Sequence, residues 1–519
     1  MTPEDWIAHD PDPHTAAELA ALDPAELAAR FAHPLTFGTA GLRGPVRGGP
    51  DAMNLAVVLR ATWALSRVLE PSTTVVVGRD ARHGSASFAT GAAEVLAALG
   101  FSVLLFPVPV PTPVVAFAVR ATGAAAGVQV TASHNPAGDN GYKVYLDGGI
   151  QIVSPTDRQI EAAMAQAPPA DEIARIPVAP AETDLIEQYV RRAAAVRRGT
   201  GSVRVALTAM HGVGGALAVQ TLHRAGFDDV HVVDAQFAPD PDFPTVAFPN
   251  PEEPGAADAL LALAADVDAD VAIALDPDAD RCAVGIPAQD GWRMLSGDET
   301  GWLLGDYILS QPARGPRTVA STVVSSRMLA AIAAQHGAVH VETLTGFKWL
   351  ARADAERPGT LVYAYEEAIG HCVDPQAVRD KDGISAAVLM CDLVASLRGR
   401  PVSDLLDDLA RRYGVHEVAA VPRRVADPDE AAAVLRRLRA DPPDLLGGFA
   451  ASHTDIADAL ILHGGDDDTS VRVVVRPSGT EPKLKCYLEV RCAVHGDLVA
   501  ARQRARALSG ALVAQIRQW

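Results

Sequence analysis

The sequence places three carboxylates at alternate positions after an apolar run, since residues 276–281 read DPDADR and directly follow VAIAL. Like charges as close as Asp276, Asp278 and Asp280 raise the free energy of ionising one another, so the pattern indicates a bound cation or a strong positive partner. Oxygen ligands on a short loop suit Mg²⁺, which proteins commonly hold with a few carboxylates and a phosphate oxygen. Arg281 follows at once, and its guanidinium group is suited to binding a further phosphate.

Two other interpretations of DPDADR differ in what they require. A solvated acidic turn needs no ligand, and short motifs of this kind often occur by chance. An EF-hand calcium loop needs glycine at its sixth position and glutamate at its twelfth. This chain has Arg281 and Pro287 there, so a calcium site of that kind is excluded.

A second polar cluster, TASHNP at residues 131–136, follows the apolar run GVQV. A hydroxyl at the end of a buried strand could carry a phosphoryl group, which makes Ser133 a candidate nucleophile. A simple polar turn before Pro136 is the alternative. Lys143 is either a general acid or charge stabiliser, or one more exposed lysine.

The third cluster, RPSGTEPK at residues 476–483, combines hydroxyls, a permissive glycine and flanking cations in one loop. That composition predicts a phosphate-binding nest, and the residues that would form it are Arg476, Ser478, Gly479 and Thr480. An ordinary hairpin loop with charged residues facing water is the alternative. The sequence has no Walker A motif, so use of a nucleoside triphosphate is not indicated.

Charge and composition exclude several classes of partner. The 519 residues include 45 basic and 64 acidic side chains, a formal net charge of −19, whereas nucleic acids and anionic membranes require a positive surface. The five scattered cysteines form no C-x-x-C pair, which argues against a disulfide framework or a zinc site. The N-terminus lacks the pattern of a signal peptide, and the apolar runs are too short to span a membrane. We therefore expect a cytoplasmic monomer or homodimer that binds neither nucleic acid nor membrane.

Apolar strands alternate with helical segments in three successive rounds, which predicts doubly wound α/β sheets. Ligands bind beyond the carboxyl ends of strands in such sheets, so we expect the polar clusters to share one cleft. The charged stretch RRAAAVRRGTG at 191–201 is a predicted linker. The last hundred residues differ, since a helix-rich stretch precedes two strands about one loop.

Four motifs in this order, TASHNP, DPDADR, YEEAIGH and RPSGTEPK, resemble the α-D-phosphohexomutase superfamily. FGTAGLRG adds Arg43, where that family has an active-site arginine. The segments TLTGFKW, YEEAIG and DKDGISA are most similar to the branch that holds phosphopentomutase-type enzymes and bacterial phosphoglucomutases or phosphomannomutases.

The resemblance implies four domains around a central cleft, three of them α/β with doubly wound mixed or parallel sheets and the last one α+β. We expect residues 1–198 to carry a phosphoserine loop and residues 199–313 a metal-binding loop. Residues 314–424 would carry a sugar-recognition loop, and residues 425–519 would form the phosphate-binding domain.

The resemblance also implies a mechanism. Ser133 would carry a phosphoryl group, and Mg²⁺ would be held by a phosphoserine oxygen together with Asp276, Asp278 and Asp280. A sugar bisphosphate would be both intermediate and activator. The remaining catalytic residues would be Lys143 and His371, as general acid and base, and Arg43. The residues that would bind substrate are Arg281, Gly346, Phe347, Lys348, Glu366, Glu367, Arg476, Ser478, Gly479 and Thr480.

The expected activity is transfer of a phosphoryl group between the 1- and 6-positions of glucose or mannose phosphate. The better-known hexose branches have a serine where this chain has Ala368, and one hydroxyl contact to the sugar is thereby lost. The alternative substrate is therefore ribose or deoxyribose 1- or 5-phosphate. A non-catalytic sugar-phosphate-binding protein and a Mg²⁺-dependent phosphatase are further alternatives. The first would be expected to lose Ser133 or an aspartate, and the second has no use for a separate anion loop.

Overall fold

The computed structural model describes residues 1–37, 41–312, 315–355, 359–425, 428–457, 459–477 and 483–519. Its strands form four larger sheets and one two-stranded sheet. The first three larger sheets lie within the first three predicted domain ranges. The fourth sheet includes the strand Val415–Arg424, which precedes the predicted boundary at residue 425. The domain boundaries remain a prediction. No helix in the described part of the chain is both long and apolar enough to cross a membrane.

The first sheet is mixed and has the strand order β1-β5-β4-β2-β3, with β6 paired to β5. Strands β2, β3 and β4 run parallel, whereas β5 is antiparallel to both of its neighbours in this order. The elements of this region are α1 (Pro3–Ala8), α2 (Pro13–Ala20), α3 (Pro24–Ala32), β1 (Leu42–Pro45), α4 (Leu55–Ser66), β2 (Thr74–Arg79), α5 (Ser85–Ala98), β3 (Ser102–Leu105), α6 (Thr112–Thr122), β4 (Ala126–Val130), β5 (Asp139–Leu146), β6 (Ile150–Gln151), α7 (Thr156–Ala165) and α8 (Leu185–Ala194).

The predicted linker at 191–201 begins too early. Helix α8 continues to Ala194 and buries Tyr189, Val190 and Ala193 on one face, so its apolar stripe is part of the core. Arg191 and Arg192 are exposed in the last turn of that helix, and Arg197 and Arg198 follow it, which is why the charge density suggested a linker.

The second and third sheets repeat the arrangement of the first on a smaller scale. Their orders are β11-β10-β9-β7-β8 and β13-β12-β14-β15, with parallel pairs at the centre and antiparallel strands at one edge. The elements are β7 (Val205–Thr208), α9 (Gly215–Arg224), β8 (Val230–Val232), α10 (Asp258–Asp266), β9 (Val271–Leu275), β10 (Cys282–Ala288), β11 (Gly291–Met294), α11 (Gly297–Leu309), β12 (Arg317–Thr322), α12 (Met328–Gln335), β13 (Val339–Thr343), α13 (Phe347–Leu350), β14 (Thr360–Glu366), β15 (Gly370–Cys372), α14 (Gly383–Ser396) and α15 (Val402–Tyr413).

The fourth sheet is antiparallel throughout, in the order β16-β22-β21-β20-β19, and packs against α16 and α17. It is therefore α+β, as expected. The elements are β16 (Val415–Arg424), α16 (Pro428–Ala440), β17 (Leu445–Leu446), β18 (Phe449–Ala450), β19 (Ser452–Ile456), β20 (Ala459–Gly465), β21 (Thr469–Pro477), β22 (Lys483–Cys492) and α17 (Leu498–Ile516).

The hydrophobic cores divide the chain unequally. One large cluster runs from the first sheet through the second to the third, and includes Val76, Val205 and Tyr363. The fourth sheet has a core of its own with α16 and α17. A small cluster, which includes Val324 and Val474, joins the third and fourth sheets. The first three regions are thus packed as one body, to which the fourth is attached.

Candidate active site

The aspartate loop, residues 276–281, connects strand β9 to its antiparallel neighbour β10. All five residues of β9 are buried, so the loop that follows this strand begins inside the protein. Ala279 has a φ of +52°. The backbone approaches so closely that a Cβ on Gly212 would lie 2.4 Å from Pro277, and one on Gly383 would lie 2.3 Å from the Arg281 carbonyl. Glycines from the second and third regions therefore fix this loop.

The three aspartates of this loop converge as the sequence predicted. Their side chains are at most 1% exposed, and one carboxylate oxygen from each lies within 4.8 Å of the others. Oδ1 of Asp278 and Oδ1 of Asp280 are buried without a hydrogen-bond partner among the described residues. Burial and the two neighbouring carboxylates raise the pKa of Asp276. Buried oxygens without donors, all of them hard ligands, fit a small divalent cation such as Mg²⁺.

Ser133 lies beside this cluster, directly beyond strand β4. Its hydroxyl donates a hydrogen bond to Asp276 Oδ2 at 2.7 Å, and the side chain is 1% exposed. Its φ of +53° is uncommon for a residue with a side chain. Thr131 supports this conformation by accepting a hydrogen bond from the Ser133 amide at 3.0 Å. The predicted phosphoryl carrier and the predicted metal ligands are therefore in direct contact.

Two residues that sequence reasoning missed hold the serine loop, residues 131–136, in place. Arg82 donates hydrogen bonds to the carbonyl oxygens of Ser133 and Asn135 at 2.7 and 2.5 Å. Asp80 accepts a hydrogen bond from the Thr131 hydroxyl at 2.6 Å and lies 3.4 Å from the Arg82 guanidinium. Both follow strand β2, which is adjacent to β4 in the sheet. The sequence feature that could have revealed them is the motif GRDAR after an apolar strand. That motif resembles an ordinary polar turn.

Two lysines neutralise the aspartate loop. Lys143, on strand β5, donates to Asp278 Oδ2 at 2.7 Å and to Asp280 Oδ2 at 2.9 Å. Burial alone would lower the pKa of Lys143, but the two carboxylates outweigh it and raise that pKa. Lys381, from the segment DKDGISA, reaches the same Asp280 oxygen at 3.0 Å. Lys381 was not among the predicted site residues, although DKDGISA is one of the segments that resemble the family.

Two arginines flank the cluster. Arg43 lies on strand β1 and donates to Asn135 Oδ1 at 3.3 Å, while its buried Nε has no partner among the described residues. Arg281 lies 3.9 Å from Asp280 and 3.7 Å from Glu252, a residue of the second region. Both guanidinium groups are close to the aspartate loop, where an anion such as phosphate would meet them.

The paired glutamates lie at the end of strand β14, with Glu366 as its last residue and Glu367 directly after it, and they have different partners. Glu367 accepts hydrogen bonds from the hydroxyls of Thr322 and Ser325 at 3.0 and 3.3 Å. Glu366 is half-buried, and burial raises its pKa while the nearby Lys381 and Arg281 oppose that shift. Glu366 therefore lies close to the cations of the aspartate loop, and Glu367 is its neighbour in the chain.

His371 lies in the core, which argues against the predicted acid–base function. Its ring is 0% exposed and packs beside those of Tyr363 and Tyr365, with ring centroids 6.4 and 6.1 Å away. The two tyrosine centroids are 6.1 Å apart, so the three rings form a triangle. Nδ1 is 3.0 Å from the Tyr363 hydroxyl, and Nε2 has no partner among the described residues. Burial lowers the pKa of His371 to about 3, so the imidazole is neutral at physiological pH. A neutral, fully buried ring packed against two tyrosines is not suited to exchange protons with a substrate.

The TGFKW segment connects the third region to the cleft. Gly346 has a φ of +105°, and Phe347, which starts α13, is buried with its ring centroid 5.8 Å from Lys381 Nζ. Lys348 is half-buried, which lowers its pKa. Arg476 reaches this segment from the fourth sheet by donating a hydrogen bond to Thr345 Oγ1. The other predicted members of the phosphate loop, Ser478, Gly479 and Thr480, lie outside the described residues.

Buried charges attach the fourth sheet to the third region beside this segment. Glu489 accepts hydrogen bonds from the Ser326 hydroxyl at 2.6 Å and from Arg327 at 2.8 Å, and lies 2.7 Å from His416 Nδ1. Arg472, 3% exposed, is bonded to Glu342 at 2.9–3.0 Å. These contacts place the end of β21, and with it Arg476, at the cleft.

Comparison with known families finds four models in chain order. Phosphoglucomutase/phosphomannomutase, alpha/beta/alpha domains I, II and III match residues 34–170, 185–289 and 296–413. The C-terminal domain of the same family matches residues 421–505. Together the matched ranges cover most of the chain.

Individual relatives agree with this assignment. A protein of Haemophilus influenzae named "Probable phosphomannomutase" is 39% identical over 85% of this chain and 93% of its own length. The phosphopentomutase of Pongo abelii is 35% identical over 91% of this chain and 87% of its own. A phosphoglucomutase/phosphomannomutase family structure from Burkholderia thailandensis, 22% identical, shares the fold with a TM-score of 0.70 over 91% of this chain and 97% of its own. The chain therefore belongs to the phosphoglucomutase/phosphomannomutase family, whose members are mutases, isomerases that transfer phosphoryl groups.

Proposed function

We propose that this mutase moves a phosphoryl group between the 1- and 6-positions of an aldohexose phosphate, glucose or mannose, through phosphorylated Ser133 and a sugar bisphosphate. The observation that carries the proposal is the contact between the Ser133 hydroxyl and the aspartate loop, with 2.7 Å between Oγ and Asp276 Oδ2. A hydroxyl held against a cluster of metal-binding carboxylates is suited to accept and return a phosphoryl group.

Mg²⁺ is the proposed cofactor. Asp276, Asp278 and Asp280 would hold it together with an oxygen of phosphorylated Ser133, and the partnerless buried oxygens of the loop support this assignment. A bound Mg²⁺ would neutralise negative charge on the phosphoryl group during transfer. Lys143 and Lys381 form ion pairs with Asp278 and Asp280, so the chain itself neutralises part of the negative charge of the aspartate loop.

In the first transfer, an oxygen of the sugar hydroxyl forms a bond to phosphorus while the bond from phosphorus to Ser133 Oγ breaks. The hydroxyl proton replaces the phosphoryl group on Oγ, which regenerates the serine. In the second transfer Ser133 Oγ forms a bond to the other phosphorus of the bisphosphate while the bond from that phosphorus to the sugar oxygen breaks. The serine proton passes to that sugar oxygen. We assign Lys143 as the group that stabilises charge and relays the proton, since its contacts keep it protonated, and Arg43 and Arg281 as phosphate-binding cations.

Sugar recognition is proposed to rest on Glu366 and Glu367, whose carboxylates can accept hydrogen bonds from sugar hydroxyls. Gly346, Phe347 and Lys348 would shape the pocket beside them. The phosphate that is not reacting would bind to Arg476 together with Ser478, Gly479 and Thr480.

Coupled assays on purified protein test this proposal directly. With Mg²⁺ and a catalytic amount of sugar bisphosphate, we expect turnover of glucose 1-phosphate or mannose 1-phosphate, with a higher kcat/KM than for ribose 1-phosphate. The activity should disappear when Mg²⁺ is chelated. Release of inorganic phosphate in place of an isomer would identify a phosphatase, and absence of any conversion would leave a non-catalytic binding protein.

A pentose phosphate is the second candidate substrate, and Ala368 is the observation that favours it. An enzyme rejects the wrong sugar strongly where a buried protein group would be left without its hydrogen bond. With alanine at position 368 there is no hydroxyl to be left unpaired, so selection for a hexose is weaker at this position. The 35% identical relative named phosphopentomutase supports the same candidate. A higher kcat/KM for ribose 1-phosphate or deoxyribose 1-phosphate than for both hexose phosphates would establish the pentose assignment.

Replacing Arg476 by alanine should weaken the binding of all sugar phosphates alike. A guanidinium group recognises phosphate and not the sugar, so the loss should be about 2–4 kcal/mol for hexose and pentose phosphates equally. Turnover should also depend more strongly on added bisphosphate, because the intermediate escapes more often. The measurement is kcat/KM for two sugars with and without bisphosphate, with Arg504→Ala as control, since Arg504 is exposed and bonded to a carbonyl in the fourth domain. A changed sugar preference at unchanged affinity would contradict this assignment.

A further inference from the structure

A buried carboxylate of the third region is held by two side chains of the first. Asp380 directly precedes Lys381 and is 1% exposed. Its Oδ2 accepts hydrogen bonds from the Tyr145 hydroxyl and from Gln151 Nε2, both at 2.8 Å. Tyr145 and Gln151 are directly opposite each other on strands β5 and β6. One strand pair therefore presents both donors to the same oxygen.

The same strand also leads to the aspartate loop. Lys143 lies two residues before Tyr145 on β5, so both side chains project from one face of the sheet. Lys143 reaches Asp280 Oδ2 at 2.9 Å, and Lys381 reaches that oxygen at 3.0 Å. The contacts form a closed ring from Tyr145 through Asp380, Lys381 and Asp280 to Lys143, and the ring returns to β5.

Asp380 and Asp280 both attract the Lys381 ammonium. Asp380 Oδ1 accepts a hydrogen bond from the Lys381 backbone at 2.8 Å but lies 3.9 Å from Lys381 Nζ. Because the other oxygen is held by Tyr145 and Gln151, the carboxylate stays at that distance and the ammonium stays with Asp280. In a buried site, loss of one donor would leave Asp380 free to turn toward the Lys381 ammonium, which is already 3.9 Å away.

We propose that Tyr145 and Gln151 are positioning residues, which restrain Asp380 so that the Lys381 ammonium remains against Asp280. They thereby determine how much of the charge of the aspartate loop the protein itself neutralises. This inference rests on the proposed function, because Asp280 is a proposed Mg²⁺ ligand. Burial next to Asp380 raises the pKa of Tyr145, so its hydroxyl remains protonated and acts as a donor.

Tyr145→Phe is the test, since it removes one oxygen from a buried side chain. We expect kcat to fall about tenfold, the usual scale for partners that orient the ligands of a metal. Calorimetric titration of dephosphorylated protein with MgCl₂ should show tighter binding than in wild type, because Asp280 loses part of its neutralisation. Gln151→Met should shift both quantities in the same directions, which provides a second variant if Tyr145→Phe folds poorly.

Tyr142→Phe is the matched control. Tyr142 lies on the same strand, is also 0% exposed and has its hydroxyl 2.9 Å from Thr62 Oγ1, but it projects from the opposite face. It should change the melting temperature without changing Mg²⁺ affinity or kcat. Equal effects of Tyr142→Phe and Tyr145→Phe, or unchanged Mg²⁺ affinity in Tyr145→Phe and Gln151→Met, would overturn the inference. A wild-type protein that isomerises no sugar phosphate would instead refute the proposed function, and the MgCl₂ titrations would still decide whether Tyr145 acts on the aspartate loop.

Discussion

Replacing Ser133 by alanine is expected to reduce turnover on the order of 10⁴-fold or more, because the proposed covalent step loses the hydroxyl that would accept the phosphoryl group. Intact-mass spectra should show one phosphate on part of the wild-type protein and none on the variant. The fold should persist, since the neighbouring contacts of Arg82 and Thr131 involve the backbone of the serine loop. The measurement is kcat with saturating sugar phosphate, Mg²⁺ and bisphosphate.

Two variants separate lost chemistry from lost structure. Ser133→Gly suits the positive φ of this position and should be as inactive as alanine. Ser66→Ala removes a hydroxyl that only donates to the Trp63 carbonyl in helix α4, and should leave turnover unchanged. Full activity of Ser133→Ala without added activator would show that the phosphoryl group is carried elsewhere.

The second large effect is expected for Asp276→Asn. Turnover should fall by ~10³-fold, because the stabilisation that a metal ion gives to transferred charge is worth several kcal/mol. The free energy of unfolding in the absence of Mg²⁺ should not decrease, although turnover does. Burial and the two neighbouring carboxylates raise the pKa of Asp276, so its ionised form costs stability at neutral pH, and a neutral amide removes that cost. The amide can still accept from the Arg281 backbone and donate to the Ser133 hydroxyl.

Asp278→Asn is the matched comparison, because the same change should have the opposite effect on stability. Burial and Asp280 would raise the pKa of Asp278, but Lys143 outweighs them and lowers it, so this charge stabilises the fold at neutral pH. Melting in the presence of EDTA should therefore give Asp276→Asn a Tm at or above wild type and Asp278→Asn a Tm below it. Both variants should lose Mg²⁺-dependent turnover. The reverse order of melting temperatures, or full activity of Asp276→Asn, would contradict this account of the loop.

The meeting of Ser133 with the three aspartates could be predicted from the sequence, because both clusters follow buried strands and such strand ends converge in doubly wound sheets. The buried position of His371 has a local cause. Gly370 and His371 alternate across β15, and His371 faces the tyrosines of β14. The order of residues in a short motif does not reveal which of them faces the cleft.

Asp80 and Arg82 were missed for a different reason. Their function depends on strand β2 lying next to β4, a neighbour relation between strands about 50 residues apart in the chain. A polar turn shows no sign of this before the strand order is known. The contact of Lys381 with Asp280 likewise joins two regions about 100 residues apart, and only the folded structure brings them together.

The unequal division of the hydrophobic cores has a consequence for cooperativity. The first sheet has a core of its own but also shares one apolar cluster with the second and third sheets. The large core of the fourth sheet lies apart from that shared cluster, and this sheet is joined to α15 by the single residue Gly414. Much of its remaining attachment consists of ion pairs such as Glu489 with Arg327, which water can replace when the surfaces separate. Separation of the fourth domain exposes the small apolar cluster that includes Val324 and Val474 but leaves the larger cores intact. We therefore expect this domain to open and unfold as a unit while the three-sheet body stays folded.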